Sequence, residues 1–192
     1  GWGWKANGGS RTTFTESGAN PGGGYQANTT AGFSIIDYVG TGTNNGTVAH
    51  GLGAVPQWIM VKNRDTAQTW AVYHVQNTDN PETDILQLEA TNATYDGNTY
   101  WNDTAPTSTN VTLGTSNDVN KDGDNIIMYA WTAIQGFSKF GKYQGNSNAN
   151  GPFIHCGFKP AWVMVKRSDS ANDWRMHDNK RTTATISGRN PI

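Results

Sequence analysis

A fifteen-residue block that occurs twice is the feature that most constrains the fold of this chain. PQWIMVKNRDTAQTW at residues 56–70 returns as PAWVMVKRSDSANDW at residues 160–174, with eight of the fifteen positions identical. Upstream, GFS at residues 32–34 matches GFS at residues 136–138 at the same offset of 104. Further matches, at an offset of 105, pair Tyr38 with Tyr143, Gly40 with Gly145, Gly46 with Gly151 and His50 with His155. A period this long exceeds that of solenoid repeats and predicts a duplicated small domain.

The two copies differ in which segments of the repeat they contain. The first repeat covers residues 32–135 and closes with IIMYAWTA at residues 126–133, whereas the second repeat, residues 136–192, has no counterpart of this closing strand. The chain instead opens with WGWKA at residues 2–6, which is similar to YAWTA at residues 129–133. Because a half-built sandwich exposes apolar side chains and unpaired backbone groups, we expect another copy of the chain to cover them.

Strand signals at short intervals predict an all-β fold. Residues 1–31, rich in Gly, Asn, Ser and Thr, predict an extended N-terminal arm and linker with one or two weak strands. Apolar spacing typical of helices is absent. The predicted strands are 33–39, 46–50, 57–63, 69–75, 84–89, 110–114, 125–134, 137–143, 152–156, 161–167, 173–178 and 182–187. We therefore expect two related antiparallel β-sandwich or jelly-roll-like modules, the second incomplete.

Composition excludes several classes of protein. The net charge is −1 and only 15% of residues are charged, which argues against nucleic acid as a partner. No apolar run is long enough for a membrane-spanning helix. Cys156 is the only cysteine, so no intrachain disulfide can form. No signal peptide is visible and the first residue is not methionine, so we expect a processed chain or a piece of a longer one, with export left open.

Catalytic motifs are not recognisable. The only glutamates, Glu16, Glu82 and Glu89, have no patterned context, although glycoside hydrolysis needs two facing carboxyl groups. A nucleophile elbow, a phosphate loop and a dinucleotide fingerprint are also missing from the sequence. We expect that the protein is not an enzyme.

Residues 117–124, NDVNKDGD, form the sharpest local motif. Oxygen ligands at Asp118, Asn120 and Asp122, followed by Gly123 and with Asp124 as an additional candidate, match the first half of a calcium loop. The bidentate carboxylate expected six residues after the glycine is missing. Asp-Gly before a strong strand is also typical of a hairpin turn, so both a plain turn and a calcium site remain open; no other cofactor is indicated.

Repeated polar positions favour structural roles. The four histidines, none in a recognisable metal pattern, are His50, His74, His155 and His177. Lys62 and Lys166 end equivalent strands, and Asp65 and Asp169 follow three residues later. Each pair fits a surface ion pair or a loop brace, and a site for acidic sugars is the alternative.

Four segments resemble a repeat family of tailed-phage and marine-virus tail-fibre-like virion proteins. They are ANTTAGFSI at residues 27–35, HGLGA at 50–54, WNDTAPTS at 101–108 and GFSKFG at 136–141. In that family the segment before a Trp-Lys-Ala-Gly-Gly-like element is itself a repeat, and WKANGG stands here at residues 4–9 without it. The resemblance implies lectin-like sandwich neighbours and no catalytic residues.

These observations predict a structural subunit of an extracellular or virion fibre. A donor strand containing Trp2, Trp4, Lys5 and Ala6 of one subunit would enter the open edge of residues 136–192 in the next, so that the chain itself is the partner. Such a head-to-tail contact propagates into a helical filament. The alternatives are a carbohydrate-binding adhesion module, with surface glycans as partners and binding residues not identified, and a simple spacer of a tail fibre.

Overall fold

The computed structural model describes residues 3–6 and 9–180. Over this part of the chain it has twelve β-strands, two one-turn α-helices and one 3-10 turn. The strands are β1 Thr12–Phe14, β2 Gly23–Asn28, β3 Phe33–Val39, β4 Gly46–Ala49, β5 Trp58–Asn63, β6 Ala71–His74, β7 Asp84–Gln87, β8 Tyr95–Asp96, β9 Asn110–Leu113, β10 Asn125–Trp131, β11 Trp162–Val165 and β12 Arg175–Asp178. The helices are α1 Asn98–Trp101 and α2 Asn117–Asn120, and the 3-10 turn is Pro81–Thr83.

Eight strands form one antiparallel sheet in the order β1-β2-β3-β10-β5-β6-β7-β8. Strand β10 lies at its centre, pairing with β3 from Asn125↔Val39 to Trp131↔Phe33 and with β5 from Ile126↔Asn63 to Trp131↔Trp58. Two smaller ladders, β4-β9 and β11-β12, complete the structure. The predicted all-β class is therefore confirmed.

One face of the main sheet, which we call the inner face, carries the hydrophobic core. Successive side chains of a strand point to opposite faces, and in β3 the buried residues Ile36 and Tyr38 alternate with half-buried Ile35 and Asp37. The same alternation holds in β5 and β10. Strands β4 and β9 and the two short helices supply the other side of the core, including fully buried Val48, Leu113, Trp101 and Val119. The result is a sandwich-like arrangement of two layers.

The predicted strands of the first repeat all contain an observed strand, β1 and β2 correspond to the one or two weak strands predicted in the arm, and β8 is additional. Strands β1 and β2 come from the segment assigned to the arm, and β2 pairs along its whole length with β3, from Gly23↔Tyr38 to Asn28↔Phe33. The proposed boundary at residue 31 therefore places two strands of the main sheet outside the first module.

The second repeat folds differently from the first. Residues 161–167 and 173–178 contain β11 and β12 as predicted, but the strands predicted at 137–143 and 152–156 are wrong, because these residues form turns and irregular structure. The physical reason lies in the sequence: Ile35-Ile36-Asp37 of the first repeat is replaced by Lys139-Phe140-Gly141-Lys142, which lacks an apolar face. The strand predicted at 182–187 lies outside the described residues.

Candidate interaction site

Aromatic rings cover the opposite, outer face of the main sheet. Because Trp131 lies directly opposite both Phe33 and Trp58 in neighbouring strands, its ring and theirs share this face. The ring centroids of Phe33 and Trp131 are 4.9 Å apart, and those of Tyr129 and Trp131 are 6.2 Å apart. Tyr129 is also stacked 6.5 Å from Trp70. We call these five residues the outer aromatic face.

The β11-β12 hairpin rests on the outer aromatic face. The ring of Trp174 lies 5.9 Å from that of Trp58, and its indole nitrogen donates a hydrogen bond of 2.9 Å to the carbonyl oxygen of Gln87. The ammonium group of Lys166 donates to the carbonyl oxygen of Thr91 over 3.2 Å. The second repeat is thus held against the first by side chains from the connection between β11 and β12.

The hairpin repeats the ladder of the first repeat in the same register. In β5-β6 the pairs run from Trp58↔His74 to Val61↔Ala71, and in β11-β12 they run from Trp162↔Asp178 to Val165↔Arg175. Every residue is displaced by 104 positions. The local pairing has therefore been copied together with the sequence.

What differs is the second edge of the equivalent strand. Strand β5 lies between β6 and β10, whereas β11 belongs to a two-stranded ladder with β12 alone. Within residues 3–6 and 9–180, no strand pairs with the edge of β11 opposite β12. An open edge of this kind presents unpaired N–H and C=O groups to another chain.

Core positions of the first repeat are exposed in the second. Tyr38 is 2% exposed and its equivalent Tyr143 is 51% exposed; Val48 and Phe153 are 0% and 90% exposed. On the paired strands, Ile59 is 0% exposed and its equivalent Val163 is 37% exposed. The equivalents of Ala71 and Tyr73 are Arg175 and His177, so β12 contributes polar side chains where β6 contributes apolar ones. The described part of the second repeat therefore has no core of its own.

The N-terminal segment reaches both repeats. The ring of Trp4 lies 6.2 Å from that of Phe33, 5.8 Å from that of Trp131 and 5.9 Å from that of Trp162. Residues 3–6 form no strand, and the carbonyl oxygen of Lys5 accepts a 3.0 Å hydrogen bond from the Asn28 side chain. Of the other residues predicted for the donor strand, Ala6 is half-buried and Trp2 lies outside the described residues. Trp4 therefore contacts its own chain, and its insertion into another copy stays a prediction.

A buried donor marks the same place. The indole nitrogen of Trp131 is buried and finds no hydrogen-bond acceptor among the described residues. Buried polar groups normally have a partner. The cluster of Trp4, Trp131 and Trp162 therefore contains a donor whose desolvation no described acceptor compensates.

The candidate calcium ligands point into separate hydrogen-bond networks. Asp118 is buried in α2 and accepts hydrogen bonds from the Thr69 amide (2.9 Å) and the Tyr100 hydroxyl (2.8 Å). The Asn120 side chain, also buried, bonds to main-chain groups of Thr41, Thr43 and Gly114. Asp124 accepts from the side chains of Asn63, Thr66 and Lys121, and Asp122 is exposed. Among the residues with described positions, no three His, Cys, Asp or Glu side chains converge as a metal site.

The repeated lysines do not brace the aspartates that follow them. Lys62 donates to the carbonyl oxygen of Gln68 and lies 5.9 Å above the Trp70 ring, while Asp65 accepts from Asn125. In the second repeat, Asp169 pairs with Arg167 at 2.6 Å. The predicted Lys62–Asp65 and Lys166–Asp169 ion pairs are therefore wrong, because main-chain carbonyl groups capture both ammonium groups.

Of the histidines of the first repeat, His50 is buried and His74 half-buried, whereas those of the second repeat are exposed. The His50 ring lies 3.2 Å from both the carbonyl oxygen of Thr107 and the amide nitrogen of Leu52, and burial lowers its pKa. Burial lowers the pKa of His74 to about 4 beneath Trp58. His155 and His177 are exposed.

Two features of the site escaped sequence reasoning. Tyr129 and Trp131 alternate within β10, a signal that indicates one shared face, and it was not used to define the outer aromatic face. Asn63 is 1% exposed and joins the end of β5 to α2 and Asp124, donating 2.9 Å to the Asp124 carboxylate. Nothing in the sequence distinguishes it from other asparagines.

No helix within the described residues is long and apolar enough to cross a lipid bilayer. The fold and the site together define an all-β module with a large antiparallel sheet and a strand that is paired on one edge. The chain belongs to the family described as Domain of unknown function (DUF7483), whose model matches residues 1–191. No curated protein and no solved structure matches the chain.

Proposed function

We propose that this chain is a structural subunit of an extracellular or virion fibre, and that copies join head to tail by β-strand complementation. The observation that supports the proposal is the edge of β11. This strand repeats β5 in sequence and register, yet among the described residues it has no neighbour corresponding to β10. The proposal gives the protein a mechanical role and no catalytic one.

Association at this edge has two sources of stabilisation. Each main-chain hydrogen bond contributes about 0.5–1.5 kcal/mol net. Val163 and Phe153 occupy positions that are fully buried in the first repeat, and they are 37% and 90% exposed. Covering Phe153 would add up to about 1.5–3 kcal/mol, and covering Val163 about a third of that, because most of its surface is already buried. A strand from a second copy can supply both contributions in one contact.

The geometry of such a contact favours a polymer. The acceptor edge belongs to the second repeat, whereas the donor segment precedes the first repeat. Since the two surfaces differ, the contact is heterologous, and it generates a filament whenever the rotation between copies does not close into a ring.

The test measures assembly as a function of protein concentration, by light scattering after size exclusion and by electron microscopy. A lysine on an edge strand discourages pairing with another chain, and at position 163 its charge would lie on the face that the incoming strand must help to cover. Val163→Lys is therefore expected to keep the protein monomeric. Val55→Lys is the matched control, because Val55 is an exposed valine of the first repeat. A wild-type chain that stays monomeric at all concentrations, or equal assembly of Val163→Lys and wild type, would contradict the proposal.

Glycan binding is the second candidate, and the exposed rings of the second repeat favour it. Phe153 and Tyr143 are 90% and 51% exposed, and aromatic faces are common platforms for ligands. Monomeric Val163→Lys protein would be applied to a glycan array, with Phe153→Ala and Tyr143→Ala in the same background as variants. Binding that disappears with both rings would support the adhesion role, and absence of binding together with filaments of the wild type would support the fibre.

A further inference from the structure

The start of the chain and the end of β10 are alike in sequence, which gives a pairing register. Aligning WGWKA at residues 2–6 with YAWTA at residues 129–133 makes Trp4 equivalent to Trp131 and Gly3 equivalent to Ala130. In the main sheet, Trp131 lies opposite Trp58 and Ala130 lies opposite Ile59. The equivalents of Trp58 and Ile59 in β11 are Trp162 and Val163.

We infer that residues 3–6 of one copy form an exchangeable strand that pairs antiparallel with β11 of a second copy, with Trp4 opposite Trp162 and Gly3 opposite Val163. This inference rests on the proposed function and specifies its donor, its acceptor and their register. The N-terminal segment thus has two positions, one against its own chain and one in the ladder of a neighbour.

The contact within one chain supports the chemical fit. The Trp4 ring already lies 5.9 Å from the Trp162 ring in an edge-to-face arrangement, a geometry that aromatic pairs favour. Residues 3–6 nevertheless make no ladder with β11. The side chain therefore recognises its site while the edge stays open to a strand from another copy.

Few contacts hold the segment in its own chain. Besides the Trp4 ring, they include the hydrogen bond from Asn28 to the carbonyl oxygen of Lys5 and that from Gln26 to the carbonyl oxygen of Gly9. The sequence Asn7-Gly8-Gly9 follows, and glycine permits a wide range of backbone angles. On exchange between identical chains the Trp4 ring would keep an equivalent contact with Trp162, while residues 3–6 would gain ladder hydrogen bonds, so the contact combines domain swapping with strand addition.

The acceptor side also offers a hydrogen-bond donor that lacks a partner among the described residues. This donor is the buried indole nitrogen of Trp131, and a strand entering the cluster brings carbonyl oxygens to it. A β-carbon added to Gly3 would meet no atom within 4 Å. Position 3 therefore tolerates a cysteine, which makes the register measurable.

The experiment uses full-length chains in which Cys156→Ser removes the only native thiol. One chain carries Gly3→Cys and the other, of different mass, carries Val163→Cys; they are mixed and mildly oxidised. Directly opposed positions of two strands lie within reach of a disulfide, so a mixed disulfide dimer is expected on a non-reducing gel. In the register control, Met164→Cys replaces Val163→Cys and is expected to yield about tenfold less dimer, because adjacent residues point to opposite faces.

The outcomes separate this inference from the fibre proposal. If the two chains give no mixed dimer while wild-type protein forms filaments, the fibre proposal stands and the donor strand is wrong. The inference is also overturned if the Gly3→Cys/Val163→Cys double variant crosslinks only within single chains. Trp4→Ala, added to the Gly3→Cys chain, is a further check. Loss of the ring should lower the yield of the dimer with Val163→Cys and leave the yield with the Met164→Cys control unchanged.

Discussion

Removing one hydroxyl group from the buried Tyr100–Asp118 pair tests whether the NDVNKDGD motif is a structural brace. The Tyr100 hydroxyl donates a hydrogen bond of 2.8 Å to one carboxylate oxygen of Asp118. The other oxygen accepts a hydrogen bond from the Thr69 amide. Both residues are buried, Tyr100 9% and Asp118 7% exposed. Burial is the main cause of the raised pKa of Tyr100, so its hydroxyl remains a donor at neutral pH. Tyr100→Phe deletes this donor and leaves the ring in place.

The expected cost follows from the burial of the acceptor. A hydrogen bond to a charged group contributes about 1.5–3 kcal/mol, and a buried acceptor left alone loses the compensation for its desolvation. We therefore expect Tyr100→Phe to lower the free energy of unfolding by about 2 kcal/mol. For a domain of this size that corresponds to a fall in Tm of about 4–8 °C.

Urea and thermal unfolding monitored by circular dichroism measure this difference. Tyr95→Phe is the matched control, because the Tyr95 hydroxyl lies 3.1 Å from that of Tyr100 but the residue is 36% exposed. Its effect should stay within about 0.5 kcal/mol, as for most surface changes. If Tyr100→Phe is no more destabilising than Tyr95→Phe, the pair does not brace α2 and the reasoning is refuted.

Three further predictions concern the described fold. Gly51 and Gly53 both have φ +69°, so alanine at position 53 should lower the free energy of unfolding by about 1–2 kcal/mol. Gly51→Ala should lower it further, because only there would the β-carbon overlap the Tyr25 ring. Chemical unfolding of the two variants compares them. Since the pKa of His74 falls from 6.5 to about 4 on folding, protonation favours the unfolded chain, and stability should decline between pH 6.5 and 4 by up to about 3 kcal/mol. His74→Gln should flatten that decline in pH-dependent melting curves. Calcium at millimolar concentration should leave Tm unchanged relative to EDTA, because hydrogen bonds already engage most of the oxygens of residues 117–124; a rise in Tm would restore the calcium interpretation.

The first repeat was predictable because its apolar residues follow strand periodicity. Its strong signals, such as Trp58-Ile59-Met60-Val61, correspond to strands buried at the centre of the sheet. Strand order was not available from such signals. That β10 lies between β3 and β5 depends on contacts between residues about 65–95 positions apart, for which local sequence carries no information.

The N-terminal region and the second repeat show where local reasoning fails. Residues 23–28, GGYQAN, have weak strand propensity, yet they pair with the whole of β3 because the edge of β3 is available. Conversely, similarity to the first repeat suggested strands at 137–143 and 152–156, and neither forms. Lysine and glycine replace the apolar residues of β3 at 139–142, and Phe153 keeps an apolar side chain that no core buries. Equivalence in alignment did not carry over equivalence in burial.

The candidate site was only partly accessible from sequence. The likeness of residues 2–6 to the end of β10 predicted a contact with the second repeat of another copy; Trp4 contacts Trp162 within its own chain, and the contact between copies stays a prediction. The position of this contact within one chain could not be predicted, because it depends on how the hairpin rests on the outer aromatic face. The candidate calcium ligands show the same limit: the directions of the Asp118, Asn120 and Asp124 side chains are set by α2 and the following turn, not by their spacing, and calcium binding stays a prediction.

The conserved ladder of the β11-β12 hairpin separates two properties that usually change together. Its strands kept the cross-strand partners of β5-β6, while Arg175 and His177 replaced side chains that fill an interior. Cross-strand pairing can therefore persist after a duplication although the side chains that would form a core have been replaced. The described hairpin thus keeps the pairing of a central strand pair without an interior of its own, and it draws support from the sheet of the first repeat.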